Sequence, residues 1–134
     1  MGSSPVNRKV IVVLIAVSVS LLHFLTGPGY SGPFPLFVNG YMIDILLPFA
    51  MYLVLGIADL PIFRSGLTRG VIVFAIGALT ETLQYFDVPI FGRTFDWLDY
   101  LMFIIGIVLA ALFENFVLSR VPTGMTSQPG NDIR

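Results

Sequence analysis

Four apolar runs organise the chain, at residues 10–26, 41–58, 70–86 and 95–118, with polar or Gly- and Pro-containing stretches between them. At about 1.5 Å of rise per residue, runs of this length reach roughly 25–36 Å, enough to cross a hydrocarbon core about 30 Å thick with some tilt or local thinning. Lipid offers the backbone no water to bond, so each run predicts an α-helix that satisfies its own N–H and C=O groups. The expected fold is all-α: a polytopic membrane protein with four transmembrane helices in one bundle over residues 1–120. Residues 121–134 are polar, carry Pro and Gly, and are expected to form a disordered tail. The first run follows Arg8 and Lys9 and could be read as a signal peptide, but it is long for one and lacks a small-residue cleavage pattern. A retained helix is therefore expected.

Composition agrees with this pattern. The 134 residues are 56% hydrophobic and only 11% charged, and the mean hydropathy of +0.90 lies well outside the range of soluble domains. A net charge of -1, without a dense basic patch, argues against a nucleic-acid partner. The absence of cysteine removes disulfides, thiolate nucleophiles and Cys-based metal sites, and the single histidine, His23, argues against a His-based one. No metal or cofactor is expected.

Orientation follows from the cations. Arg8, Lys9, Arg64, Arg69, Arg120 and Arg134 fall on one side of the four runs, and Arg93 alone falls on the other. The positive-inside rule then makes both termini and the 58–69 connection cytoplasmic, in the cell membrane of a prokaryote. Residues 27–40 and 87–94 are expected outside. The first of these outer loops is dense in Gly, Pro and aromatic residues. It is expected to be non-helical and to lie along the membrane interface, as a stiff connection or as a lid.

The polar residues within the runs set the functional question. Glu81 lies six residues before Asp87, and Asp99 six residues after Arg93, a distance of about 9 Å along a helix. If Asp87 and Arg93 mark the outer interface, Glu81 and Asp99 sit at one depth just beneath it. Asp44 belongs to nearly the same layer, and His23 could reach it. Glu81 and Gln84 share a helix face at i, i+3, as do Asp96 and Asp99. Such faces should point into the bundle, because lipid would leave them unpaired. Gly77 and Gly106 lie below them and would let helices approach closely.

The picture is an outward-facing polar cup, with Asp44, Glu81, Gln84, Arg93 and Asp99 as candidate ligand-binding or proton-handling residues and His23 and Asp96 as secondary ones. Asp44, Glu81, Asp87, Asp96 and Asp99 face one cation, so either one of Asp44, Glu81 and Asp99 holds a proton at pH 7 or a cationic group binds there. Arg93 suits one carboxylate or a phosphate. The same residues can also be read as glue that fixes helix register. Asp87 and Asp96 are expected as loop or N-cap groups, and Glu114 as an interfacial charge near Arg120. Tyr30, Tyr41, Tyr85, Trp97 and Tyr100 are expected to form an aromatic belt, and Ser18 and Ser20 to bond back to their own helix.

The pattern Glu81-x-x-Gln84, then Gly92-Arg93-Thr94-Phe95, Asp99 and Gly106, resembles the carboxy-terminal half of the VanZ-like membrane proteins. Asp44, Phe49, Tyr52 and Gly56 match that family's second-helix pattern more weakly, so the resemblance covers residues 44–111. Ile45, Pro48 and Phe103 stand where the pattern has Lys, His and Asn, and an activity needing a Lys–His pair is not carried over. The resemblance implies a four-helix membrane fold and a setting in the bacterial cell envelope, where members are associated with glycopeptide antibiotic resistance. It implies no reaction.

Three functions fit. The first is a small envelope protein whose cup binds a lipid headgroup, a cell-wall precursor or an amphipathic drug. The second is a structural or assembly subunit, as a homo-oligomer or beside a membrane-protein partner, with the polar layer as packing glue. The third is an enzyme on lipid-linked substrates with Glu81 or Asp99 as general base. The residues lean against catalysis, because no nucleophile is paired with His23, although a carboxylate pair leaves room for a divalent ion. A transporter is disfavoured, since no repeated pair of broken helices is visible.

Overall fold

The computed structural model describes residues 7–27, 29–88 and 95–121. The described residues form four helices, each long and apolar enough to cross a membrane. Helix α1 spans Arg8–Leu25 and is capped by Asn7, whose side chain accepts from the Lys9 N–H at 3.1 Å. The Ser18 and Ser20 hydroxyls donate to the carbonyls of Leu14 and Ala16, four residues back. Helix α3 spans Gly66–Tyr85 and starts earlier than its apolar run because the Ser65 side chain accepts from the Thr68 N–H. Helix α4 spans Trp97–Phe116, with Asp96 as N-cap, accepting from the Leu98 N–H at 3.0 Å; a 3-10 turn, Leu118–Arg120, follows.

Helix α2 departs most from expectation. It runs over Pro35–Ile57, so residues 35–40, expected in a non-helical loop, are its first turns. Proline is harmless there because the first helical N–H has no intrahelical acceptor, and Phe34, in the left-handed region at φ 54°, turns the chain into the helix. The next stretch, Val38–Met42, is π-helical. Six residues after it, Pro48 sits inside the helix and cannot donate to the Asp44 carbonyl. Asp44 thus lies between two irregularities of one helix. In a helix long and apolar enough to cross a membrane, such irregularities are tolerated where they border protein or a cavity.

The helices run up and down in sequence order. Helix α2 packs against the other three, and α3 packs against α4 as well. The residues turned inward repeat at three- and four-residue steps: Asp44, Pro48, Tyr52 and Gly56 on α2; Arg69, Val73, Gly77 and Glu81 on α3; Asp99, Phe103, Gly106, Ala110 and Glu114 on α4. The α3 and α4 stripes are apolar or small in the middle and charged at both ends, and the α2 stripe is charged at its Asp44 end. The centre is filled by Val12, Leu53, Val73 and Ala110, all nearly sealed from solvent. The perimeter is the reverse of a soluble protein's, with Leu14, Leu21, Leu67, Leu79, Val108 and Phe116 all exposed.

Two glycines set the helix spacing. At Gly77 the Phe103 ring lies 2.7 Å from where a Cβ would stand, and at Gly106 a Cβ would overlap the Ile45 backbone carbonyl and meet Pro48 at 2.8 Å. Backbone cannot swing aside as a side chain can. Gly106→Ala is therefore expected to cost about 1–3 kcal/mol of bundle stability, measurable by denaturant titration in detergent, whereas Gly40→Ala, in open space, should cost less than half as much.

Candidate functional site

The polar ends of the three stripes form two clusters at opposite ends of the bundle. The first gathers carboxyl groups. Asp44, Glu81, Gln84, Asp96 and Asp99, with Asn39 and Tyr41, line a cleft of about 480 Å³. Of the residues expected to form a site, five meet here: Asp44, Glu81, Gln84, Asp99 and the secondary Asp96. His23 does not line the cleft; it is exposed on α1, its ring beside Phe24. Arg93, with Gly92 and Thr94, lies outside the described residues, as does the 122–134 tail.

Each acid reaches the cleft for a local reason. The π-helical turn brings Asn39, Gly40 and Tyr41 to the rim and sets Asp44 one turn deeper. Asp96 is held by its capping bond, and Tyr41 donates to its other oxygen at 3.5 Å, a weak link from α2 to α4. Asp99, one turn further along α4, is 8% exposed. The Asp44 carboxyl lines the same cleft. Glu81 is 4% exposed, and its Oε2 is buried without a hydrogen-bond partner. A buried polar atom without a partner is costly and calls for an explanation.

Aromatic rings link the two helices beside the cleft. Edge contacts run from Phe86 to Tyr85 to Phe95, both steps 5.4 Å between centroids, then to Tyr100 at 6.1 Å, and a tilted contact joins Tyr100 to Phe74 at 6.3 Å. These tie the end of α3 to the start of α4, so Tyr85 and Tyr100 act in a clamp between helices.

The second cluster was not visible as such in the sequence. Glu114 was expected near Arg120, but its carboxylate instead accepts a two-pronged bond from Arg69, at 3.0 and 2.8 Å, and a further bond from Arg8. The Arg69 guanidinium also lies 4.5 Å from the centre of the Tyr52 ring. The reason is register: Glu114 and Arg120 are six residues apart and do not share a face, whereas Arg69 and Glu114 end the inward stripes of α3 and α4. Gly56 makes the space, since a Cβ there would collide with the guanidinium. Lys9 pairs with Asp59 at 3.0 Å nearby, on the surface.

Among the described residues no three or more carboxylate or imidazole groups are arranged to hold a metal ion. Comparison of the chain with protein-family models, curated proteins and solved structures gives no match.

The guanidinium cluster predicts its own sensitivity. Glu114→Ala leaves two partly or fully buried arginines unpaired and is expected to destabilise the bundle by about 3 kcal/mol, the lower end for a broken buried pair because Glu114 keeps some exposure. Asp59→Ala, at the surface pair, should change it by less than about 1 kcal/mol. Thermal and denaturant unfolding of the two variants in one detergent measures the difference.

Proposed function

We propose that the chain is a multi-pass membrane protein with both termini in the cytoplasm, and that its carboxyl-lined cleft faces outward and binds the polar group of an envelope molecule. Candidates are a lipid headgroup, a cell-wall precursor or an amphipathic drug. The observation that carries this reading is Glu81: a carboxylate 4% exposed, with one oxygen unpartnered, in the wall of a cleft it shares with three other acids. Ionisable groups enclosed among apolar helices are candidates for function by default.

The membrane setting rests on the apolar perimeter and on the four helix lengths. Orientation rests on charge: Arg8, Lys9, Arg64, Arg69 and Arg120 lie at or near the Glu114 end, at helix ends away from the cleft. Arg69 and Glu81 are separated by roughly 18 Å along α3, and Asp99 and Glu114 by roughly 22 Å along α4, at about 1.5 Å per residue. Both spans are shorter than the hydrocarbon core of about 30 Å, so each polar layer sits a few ångströms below its membrane surface. The resemblance of residues 44–111 to the VanZ-like proteins supports the envelope setting and, with it, a contribution to antibiotic resistance.

A structural role is the second reading, favoured by the Tyr41–Asp96 bond, which joins α2 to α4. The two readings differ in the fate of Glu81→Gln. Binding predicts a variant that folds and elutes as the parent does, while losing the envelope or drug-susceptibility phenotype of the intact gene; glue predicts loss of fold and phenotype together. Topology has a separate check, because the chain has no cysteine. A cysteine at Ser31 is expected to react with a membrane-impermeant maleimide in intact cells, and one at Ile62 only after lysis.

A further inference from the structure

A second cavity adjoins the cleft. It has a volume of about 320 Å³ and lies between α2 and α3, walled by apolar groups that include Leu47, Met51, Ile76 and Phe103, and it shares Asp44, Glu81 and Gln84 with the cleft. Glu81 therefore stands at the junction of a polar chamber and an oily one. Leu47 and Ile76 are each 46% exposed, so the oily chamber opens sideways through the bundle perimeter, where acyl chains would lie.

From this junction, and resting on the membrane and cleft reading above, we propose that the ligand is a membrane-resident cationic amphiphile that enters sideways between α2 and α3. Its ammonium sits among Asp44, Glu81 and Asp99, and its apolar chain lies in the crevice over Phe103. The charge of the site selects the head. Asp44, Glu81, Asp96 and Asp99 line the cleft, and among the described residues its lining contains no Lys or Arg; a phosphate head would meet like charge from these four acids, whereas an ammonium brings donors to their acceptors. The Oε2 of Glu81, buried and without a partner, is the acceptor such a donor would fill. Pro48 leaves the Asp44 carbonyl without its helical donor at the same depth. An organic cation suits the site better than a bare metal ion, since the carboxyls are spread around a wide cleft without a ligating cluster.

The same head chemistry can come from an amine-bearing lipid already in the bilayer or from an amphiphilic amine arriving from water. The protein's single tryptophan, Trp97, follows the N-cap Asp96 of the cleft and gives the readout. The full-length protein in phosphatidylcholine nanodiscs is titrated with dodecylammonium, dodecanol, dodecyl phosphate or methylammonium, and separately reconstituted with a diacyl lipid bearing a net-cationic amine head. Trp97 emission and the unfolding midpoint are followed. The expected result is saturable binding of dodecylammonium at least tenfold tighter than of dodecanol or dodecyl phosphate, lost at least tenfold in Glu81→Gln. Asp44→Asn serves in its place if Glu81→Gln does not fold. Thr80→Leu, which enlarges a crevice wall, should lower the ratio of dodecylammonium to methylammonium affinity. Binding of dodecylammonium with displacement by the amine lipid assigns the bilayer as the source, and binding without displacement assigns water; either supports the proposal. If methylammonium binds as tightly as dodecylammonium and Thr80→Leu leaves their ratio unchanged, the amphiphile is overturned and the cationic cup stands. Preference for dodecyl phosphate overturns the charge assignment. If none of the probes binds the folded protein, the cleft reading falls as well.

Discussion

The close approach of α2 and α4 at Gly106 is the constraint from which the rest of the arrangement follows. With no side chain at that position, the Ile45 carbonyl and the Pro48 ring of α2 rest against the α4 backbone. Two turns toward one end, the same register brings Asp99 into one cleft with Asp44; two turns toward the other, it brings Glu114 to the level of Tyr52 and Gly56. A wider spacing or a one-residue slip would turn these acids out of the bundle. Helix α2 is also the helix that touches the other three, so its contact with α4 fixes the frame into which α1 and α3 pack.

The two polar clusters solve opposite problems. At the Glu114 end opposite charges meet: a carboxylate receives a fork from Arg69 and a bond from Arg8, and the Tyr52 ring covers the Arg69 guanidinium. Such an arrangement fixes register and leaves little of Glu114 to offer a ligand. At the Glu81 end the acids converge on open volume, and one oxygen is left without a partner. Buried polar atoms without a hydrogen-bond partner occur at both ends, the Nε of Arg8 and of Arg69 at one and the Oε2 of Glu81 at the other; of these residues Glu81 stands in the wall of the carboxyl cleft, which is where a function is sought. The irregular stretches of α2 lie at this end too: the π-helical turn supplies the rim, and Pro48 interrupts the backbone ladder just below Asp44.

Much of this was legible in the chain. The apolar runs gave the helices, because a stretch long enough to cross a bilayer must bond its own backbone, and the i, i+3 pairing of Glu81 with Gln84 gave one wall of the cleft. The small residues Gly77 and Gly106 announced close packing, and Asp96 announced a cap. Residues 35–40 were misread as loop because their proline and glycine composition resembles a breaker, while a proline in the first helical turn and a glycine in a wide π turn are both compatible with helix. The Arg69–Glu114–Arg8 cluster was missed because its members are far apart in the chain.

Sequence alone therefore determined the element type, the approximate spans and the position of each ionisable residue along its helix, since these depend on local periodicity and on rise per residue. Tertiary structure decided which charges meet. It paired Glu114 with Arg69 and Arg8 in place of Arg120, left His23 on the exterior of α1, and joined the carboxyl cleft to an apolar crevice between α2 and α3. Those outcomes depend on the rotation of each helix about its own axis, and that rotation is set by which small residue meets which neighbour, a relation that one strand of sequence does not contain.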